Sequence, residues 1–293
     1  MNKFYKISCV LVYILFLGYY SVNAEPIVNG DIVQIKHYPY QVYLSAFSIP
    51  TCFKDSWLIK LFPCILKKGL FCGGSIINKR YILTAAHCLE NKKLRKVEIY
   101  AGTNQIGDSN AQVHTAQAFI THPRYNKYML KFIKKDLFKE RFMMNDIALI
   151  YLNEDIQFTE VIRPVKLPKS DYEFNEGHVA VVTGWGGIKH DTMTLSKFLQ
   201  ASKQRVISWE TCVKEWHTKL LTAIDAGMMC AVSNHDWPSG PCMGDSGGPF
   251  VDGKGYQIGI TSFGYECGKT HELPEVYVNV VAYAKWIREN SII

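Results

Sequence analysis

Short runs of β-branched and aromatic residues, each closed by Gly, Pro, Asn or Asp, recur from about residue 27 to residue 280. Runs of this length and spacing predict an all-β barrel or sandwich. A convincing helical period occurs only in Val281–Asn290, where Ala282, Trp286 and Ile287 can share one face. The predicted strands are Tyr40–Leu44, Gly74–Ile77, Tyr81–Leu83, Lys96–Tyr100, Ile147–Leu152, Val179–Thr183, Gln257–Ser262 and Glu275–Val280.

The longest apolar run lies at the N-terminus and has the layout of a secretory signal. Ile7–Leu17 follows Lys3 and Lys6, and small or aliphatic residues precede a cleavage point after Ala24. An uncleaved anchor is the alternative, but the run is shorter than the roughly 20 residues that span a bilayer. We therefore predict a signal peptide over residues 1–24, a secreted chain and no stable membrane insertion.

Cysteine content and charge exclude several classes of function. The chain has nine cysteines, of which Cys9 lies in the signal; an even number in an exported chain indicates disulfides. None of the others has the Cys-x-x-Cys spacing of a zinc site, so no metal is expected. The net charge of +7 comes with no recognisable nucleic-acid-binding module, and no nucleic-acid partner is expected. The remaining cysteines are Cys52, Cys64, Cys72, Cys88, Cys212, Cys230, Cys242 and Cys267.

Three segments contain the residues needed to activate a serine nucleophile. They are Leu83–Cys88 with His87, Asn145–Ile150 with Asp146, and Cys242–Pro249 with Ser246. A serine hydroxyl is a poor nucleophile at neutral pH, so an imidazole must take its proton and a carboxylate must orient that imidazole. His87, Asp146 and Ser246 are the candidate catalytic residues.

These segments resemble the chymotrypsin-like (trypsin-like) serine protease family over residues 27–293. Supporting motifs occur in the family's order: Ile27–Gly30, Cys72–Ser75, Thr183–Gly186 and Ser262–Gly264. The resemblance implies two six-stranded antiparallel β-barrels with a C-terminal α-helix and a catalytic cleft between the barrels. It implies an endopeptidase that acts on proteins or peptides through an acyl-enzyme, without a cofactor. The N–H groups of Gly244 and Ser246 would form its oxyanion hole.

The sequence admits two alternatives to an active protease of this family. Gly244–Gly248 also fits the G-x-S-x-G pattern of α/β-hydrolases. That fold needs an acid and then a histidine after the serine, whereas the only later histidine is His271, and no βαβ alternation surrounds the motif. A catalytically silent homologue that only binds partners is the second alternative; intact His87, Asp146 and Ser246 argue against it.

The resemblance also implies activation by proteolysis. A cut before Ile27 would expose an ammonium group that pairs with Asp245. Only the dipeptide Glu25-Pro26 separates the predicted signal cleavage from Ile27, and no Lys or Arg precedes the bond. We therefore expect an activating peptidase that removes an Xaa-Pro dipeptide; the alternative is that Glu25-Pro26 is a spacer and activation follows another route.

The resemblance implies three disulfides and a substrate pocket. The disulfides are Cys72–Cys88, Cys212–Cys230 and Cys242–Cys267; Cys52 and Cys64 can close their own loop. Gly240 stands where trypsin-like enzymes carry an aspartate, whereas Glu275 replaces a common glycine of the back wall. If Glu275 points inward, a mixed preference for large apolar residues and for Lys or Arg follows; the alternative is a solvated surface carboxylate. The pocket candidates are Gly240, Pro241, Met243, Ser262, Phe263, Gly264 and Glu275.

Two insertions flank the expected cleft. Ser48–Leu70 contains Cys52 and Cys64, and Asn126–Met144 is strongly basic with apolar residues between the charges. A short amphipathic helix is one interpretation of the second insertion, and a solvated loop with a few packed apolar anchors is favoured over it. Asp108 is the only acid in Gly102–Val113, so no calcium site is expected. The sequence contains no Asn-x-Ser/Thr sequon, so N-glycosylation is not expected. We expect a monomer that protein protease inhibitors can bind.

Overall fold

The structure is a computed structural model that describes residues 27–48, 67–90, 92, 97–129, 141–189, 192–220, 224–268 and 273–291. The predicted signal peptide, the Glu25-Pro26 dipeptide, Cys52 and Cys64 lie outside these residues. The strands of the N-terminal half are β1 (Asp31–Ile32), β2 (Gln41–Ser48), β3 (Lys67–Ile76), β4 (Tyr81–Thr84), β5 (Val97–Ala101), β6 (Gln112–Thr121), β7 (Asn126–Met129), β8 (Arg141–Met144) and β9 (Ala148–Leu152). Those of the C-terminal half are β10 (Val179–Gly184), β11 (Gly187–Lys189), β12 (Thr192–Leu195), β13 (Gln200–Val206), β14 (Met228–Ser233), β15 (Pro249–Asp252), β16 (Gln257–Phe263) and β17 (Glu275–Asn279).

The strands form two antiparallel barrels, as predicted. The first closes in the order β2-β3-β4-β9-β6-β5. The second runs β13-β10-β15-β16-β17-β14 and closes through pairing of β13 with β14, while β1 pairs with the outer side of β13. Closure leaves no free strand edge within either barrel, which protects both from edge-to-edge association. The fold class is confirmed.

Each barrel is filled by apolar side chains that alternate with outward-facing residues. The first is packed mainly with aliphatic side chains such as Leu44, Ile82 and Leu149. In the second, Phe250 stacks on Tyr277 with ring centroids 4.4 Å apart. This packing gives the loops at the barrel ends a rigid support.

Buried polar pairs cross from one barrel to the other. Ser75 Oγ on β3 donates to Gln257 Oε1 on β16 at 2.6 Å, and Thr183 Oγ1 on β10 donates to Gln41 Oε1 on β2 at 2.5 Å. All four side chains are buried, so a lost partner would leave a desolvated polar group, at a cost of about 1–3 kcal/mol. These bonds fix the relative position of the barrels and therefore of the cleft between them.

Helices are few, and two of them were not predicted. Helix Ala86–Leu89 follows β4, helix Trp209–Leu220 follows β13, and helix Ala284–Ser291 ends the described chain. The expectation of a single helix was wrong. The C-terminal helix begins three residues later than predicted and buries Ala284, Ile287 and Ser291, whereas Ala282 precedes it and is exposed. Its last turn is held to the first barrel by Asn78, whose Nδ2 donates to the carbonyl of Ser291 at 3.1 Å.

The ends of both insertions are strands. In the basic insertion β7 pairs antiparallel with β8, from Asn126 opposite Met144 to Met129 opposite Arg141. These ends are therefore strands, which corrects the interpretation as an amphipathic helix for the described part of the insertion. In the first insertion β2 and β3 remain paired out to Ser48 opposite Lys67. Both insertions thus extend from hairpins anchored on the first barrel.

Candidate active site

The first barrel positions the candidate base and its carboxylate partner. His87 lies on the short helix after β4, and Asp146 lies two residues before β9, which pairs with β4. Asp146 Oδ2 lies 2.7 Å from His87 Nδ1, and Asp146 Oδ1 accepts a 2.8 Å bond from the His87 backbone N–H. The carboxylate therefore holds both the ring and the main chain of His87. This arrangement places the proton on Nδ1 and leaves Nε2 as the basic nitrogen.

The second barrel supplies a further donor to the same carboxylate. Ser262, on β16, donates to Asp146 Oδ2 at 2.6 Å. Burial of Asp146 opposes its ionisation, but the opposite charge of His87 and the three hydrogen bonds outweigh this effect and lower its pKa. The carboxylate is therefore ionised at neutral pH. Ser262 was predicted only as a pocket residue; its bond to Asp146 joins positions 116 apart in sequence, which no local motif signals.

Ser246 lies on a tight turn between β14 and β15 in the second barrel. Gly244 and Gly247 have φ values of 103° and 79°, which residues with a Cβ rarely adopt. The turn is fixed at two points, because the Gly73 N–H donates to the Ser246 carbonyl at 2.8 Å and the Gly247 N–H donates to the Thr261 carbonyl at 2.7 Å. Within the described chain no carbonyl accepts a hydrogen bond from the N–H of Gly244 or Ser246.

His87 and Ser246 face one cleft of about 390 Å³. All but one of the predicted pocket residues line it; Gly240 is buried directly before Pro241 and does not. Met143, Thr261, Tyr265 and Glu266 also line the cleft and were not predicted; they come from β8, from β16 and from the loop after β16, and they share no sequence pattern. The lining comprises His87, Met143, Pro241, Cys242, Met243, Ser246, Thr261, Ser262, Phe263, Gly264, Tyr265, Glu266, Cys267 and Glu275.

Glu275 points toward this cleft from the start of β17 and is only 5% exposed. Its carboxylate lies against the α-carbon of Gly264; a Cβ at position 264 would come within 2.0 Å of Glu275 Oε2. Burial raises the pKa of Glu275 well above its usual value; the N–H of Gly268 acts in the opposite direction, and Asp245 adds to the rise. The interpretation of Glu275 as a solvated surface residue is therefore wrong.

Asp245 is fully buried beside the serine turn, in contact with Gly184 and Gly186. The N–H groups of Gly186 and Cys242 donate to its two oxygens at 2.7 and 2.9 Å. Burial raises the pKa of Asp245 to about 6, although both N–H donors act to lower it. No cation acts on it in the described chain. Ile27, expected as its partner after cleavage, is also fully buried, so both members of the expected pair are withdrawn from solvent.

The buried carboxyl group of Asp245 makes the stability of the uncleaved chain depend on pH. Because its pKa is about 6 in the folded chain and 3.8 in the reference state, the folded chain binds more protons between these values. Its free energy of unfolding should therefore fall as pH rises through this window, by about 3 kcal/mol. Urea unfolding of a Ser246→Ala chain at pH 4 and pH 7 measures this. The loss should be smaller in a Ser246→Ala/Asp245→Asn chain, and equal losses would contradict the assignment.

Three disulfides lie in or near the site. Cys72 pairs with Cys88, Cys212 with Cys230, and Cys242 with Cys267, the pairings that the family resemblance implies. The His/Cys cluster with metal-ligand spacing in the described residues is Cys72, His87 and Cys88. Both of its sulfur atoms are in the disulfide, so this cluster offers a metal only one ligand. No helix in the described part of the chain is long and apolar enough to cross a membrane.

Comparison with known proteins gives one consistent family. The family model described as Trypsin matches residues 27–287. Chymotrypsin-2 from Vespa crabro is 35% identical over 267 residues, covering 91% of this chain and 100% of the relative. Trypsin theta from Drosophila erecta is 33% identical over 292 residues, covering 97% and 95%. The solved structure of neuropsin, a serine protease expressed in the limbic system of mouse brain, matches with a TM-score of 0.69 and 27% identity over 89% of this chain and 98% of neuropsin.

Proposed function

Because the chain belongs to the trypsin family of serine proteases, we propose that it is a secreted endopeptidase that forms an acyl-enzyme on Ser246. One observation carries this proposal: the hydrogen-bonded series Ser262–Asp146–His87 ends in the same cleft as Ser246. An ionised carboxylate, an oriented imidazole and a hydroxyl are the groups that acyl transfer requires.

The reaction follows from the roles that these groups can take. His87 Nε2 accepts the proton of Ser246 Oγ as the hydroxyl oxygen attacks the peptide carbonyl, and His87 then donates that proton to the leaving amine. Asp146 stabilises the imidazolium that forms in between. Water repeats the sequence on the acyl-enzyme, and Ser246 is regenerated.

The oxyanion hole is built from the backbone of the serine turn. Negative charge develops on the carbonyl oxygen during attack, and N–H donors fixed beforehand stabilise it without reorganisation. The N–H groups of Gly244 and Ser246 take this role in our proposal. The left-handed backbone of Gly244 and the two anchors of the turn support it.

Activation is proposed to occur when a peptidase removes Glu25-Pro26. The new ammonium group of Ile27 then pairs with Asp245, whose burial without a cation is the supporting observation. Asp245 accepts from the N–H of Cys242, within the pocket wall, and immediately precedes Ser246. The ion pair would thus order the turn and the pocket together.

The proposed specificity is mixed: cleavage after large apolar residues and after Lys or Arg. Pro241, Met243 and Phe263 give the cleft apolar walls, and Gly264 leaves its entrance open. A buried cation needs a counter-charge, and Glu275 is the carboxyl group that the back wall offers. The monomeric state and recognition by protein inhibitors belong to the same proposal and follow from the family alone.

A fluorophosphonate probe distinguishes the active enzyme from a silent binding protein. In chain that begins at Ile27, we expect stoichiometric labelling of Ser246, because the probe reacts with an activated serine hydroxyl. Mass spectrometry of the labelled peptide gives the position. A Ser246→Ala chain is the matched control and should stay unlabelled. Absence of label in protein with a verified Ile27 terminus would support the binding role instead.

A further inference from the structure

The back wall of the cleft presents an acid whose surroundings are poorly suited to a negative charge. Glu275 is buried, and its carboxyl group receives one described hydrogen bond, from the N–H of Gly268. Ionised carboxylates in proteins are stable when several donors or a cation surround them. Glu275 therefore has little to compensate a charge while the cleft is empty.

Among the residues that the structure describes, the neighbours of Glu275 add no positive charge. Asp245, on the serine turn, raises the pKa of Glu275, and Tyr277 lies two positions along β17 with its hydroxyl buried and unpaired. From β16 the neighbours are the hydroxyls of Thr261 and Ser262, and from the loop after β16 they are Tyr265 and the carboxylate of Glu266. The partner of Glu275 on β14 is Ala231, which carries no titratable group, and the adjacent Cys230 is in a disulfide. The described lining of the cleft contains neither Lys nor Arg.

We propose that Glu275 is a neutral carboxylic acid when the pocket is empty or holds an apolar side chain, and that it ionises only when Lys or Arg enters. The proton passes to bulk solvent as the cation binds. The pocket therefore carries no charge when it binds Phe or Leu and a negative charge when it binds Lys. The ratio of cleavage after Lys to cleavage after Phe or Leu should then depend on pH. This inference rests on the mixed specificity proposed above.

The cost of ionisation determines the size of the effect. Burial, followed by the charge of Asp245, raises the pKa of Glu275 in the empty pocket. Below that pKa, each further unit of acidity lowers the ionised fraction about tenfold, and binding of a basic residue falls by the same factor. Binding of an apolar residue does not need the ionised form. The ratio of the two activities should therefore rise with pH and reach a plateau above the pKa.

The test compares two peptides that differ only at the residue before the cleaved bond, Lys in one and Leu in the other. The ratio of their kcat/KM values is measured from pH 5.5 to pH 9 with chain that begins at Ile27. Titration of His87 affects both peptides and cancels in the ratio. For the wild-type enzyme we expect the ratio to rise by up to about tenfold per pH unit over part of this range. For Glu275→Gln it should be low and independent of pH.

Two further measurements separate this effect from a general change in the cleft. Glu266→Gln removes a different carboxyl group from the same cleft and should keep the pH dependence of the ratio. Benzamidine, a small amidinium, serves as a cationic ligand without chemistry. Calorimetry in buffers of different ionisation enthalpy should detect release of up to one proton per benzamidine bound to the wild-type enzyme and none for Glu275→Gln.

The outcomes distinguish this inference from the specificity on which it rests. If Glu275→Gln loses cleavage after Lys while the wild-type ratio is independent of pH and no proton is released, Glu275 is already ionised in the empty pocket. The inference is then overturned and the specificity stands. If Glu275→Gln cleaves after Lys as well as the wild-type enzyme does, the proposed role in specificity fails as well.

Discussion

Freeing the amino group of Ile27 should raise kcat/KM by roughly 10²- to 10⁴-fold over the chain that still carries Glu25-Pro26. A buried charge that lacks its partner costs about 3–5 kcal/mol, which corresponds to this range. In the uncleaved chain Asp245 is a buried acid without a cationic partner among the described residues, and burial raises its pKa to about 6. Its two N–H donors, Gly186 and Cys242, lie beside the serine turn and in the pocket wall, so the pairing should act on catalysis and binding together.

The measurement uses three forms of the same chain. One begins at Glu25, one at Ile27, and one at Ile27 with Asp245→Asn; the N-terminus of each is verified by sequencing. Only the second should be fully active, because the third has the ammonium group but no carboxylate to receive it. Equal activity of the first two forms would refute the ion-pair mechanism.

Local motifs predicted the barrels and identified His87, Asp146 and Ser246, which the structure brings to one site, because each motif is a short run with a strong steric or chemical requirement. The turn at Ser246 needs glycines at left-handed positions, and these glycines are visible in the sequence. The strands that were predicted are rich in β-branched residues. The contact between Ser262 and Asp146 could not be predicted from the residues themselves, since it joins two barrels and depends on their relative position.

One of the strands that were missed, β13, has polar residues where a periodic pattern expects apolar ones. In β13 both Gln200 and Gln204 are buried, and Gln204 Nε2 donates to Ser202 Oγ and to the carbonyl of Ser239 at 2.8 and 3.0 Å. Pattern analysis predicts that such a strand is exposed, because it assigns polar side chains to the solvent-facing side. The hydrogen-bond partners that allow these polar side chains to be buried are known only from the folded structure.

The longer of the two helices that were not predicted, Trp209–Leu220, has too few buried residues to produce a clear helical period. Trp209–Leu220 buries Cys212 and Trp216, which are four residues apart and share a face, while most of its other residues are exposed. Two buried positions among residues 209–219 give a weak periodic signal. The disulfide Cys212–Cys230 fastens this helix to β14, so a tertiary bond contributes the stability that a wider apolar face gives elsewhere.

Replacing Glu275 by Gln should lower kcat/KM after Lys and Arg by roughly 30- to 5,000-fold and leave cleavage after Phe or Leu nearly unchanged. Loss of one member of a buried charge pair costs about 2–5 kcal/mol, and a cation in this cleft has no other described acid at the back wall. Glutamine has the shape of a neutral glutamic acid. The pocket that an apolar side chain meets should therefore be the same in both enzymes, and KM and kcat for Phe or Leu peptides should be retained.

Peptides that differ only before the cleaved bond allow this difference to be measured, and Glu266→Gln is the matched control. Glu266 also lines the cleft, but the two acids differ in burial. Glu275 is 5% exposed, whereas Glu266 is partly exposed to water. A charge in contact with water is screened and contributes little to binding, so Glu266→Gln should change cleavage after Lys by only a few-fold. Equal losses on basic and apolar peptides in Glu275→Gln would show that this residue supports the structure of the wall. Wild-type enzyme without activity after Lys or Arg would establish a purely apolar specificity, with Glu275 held neutral throughout.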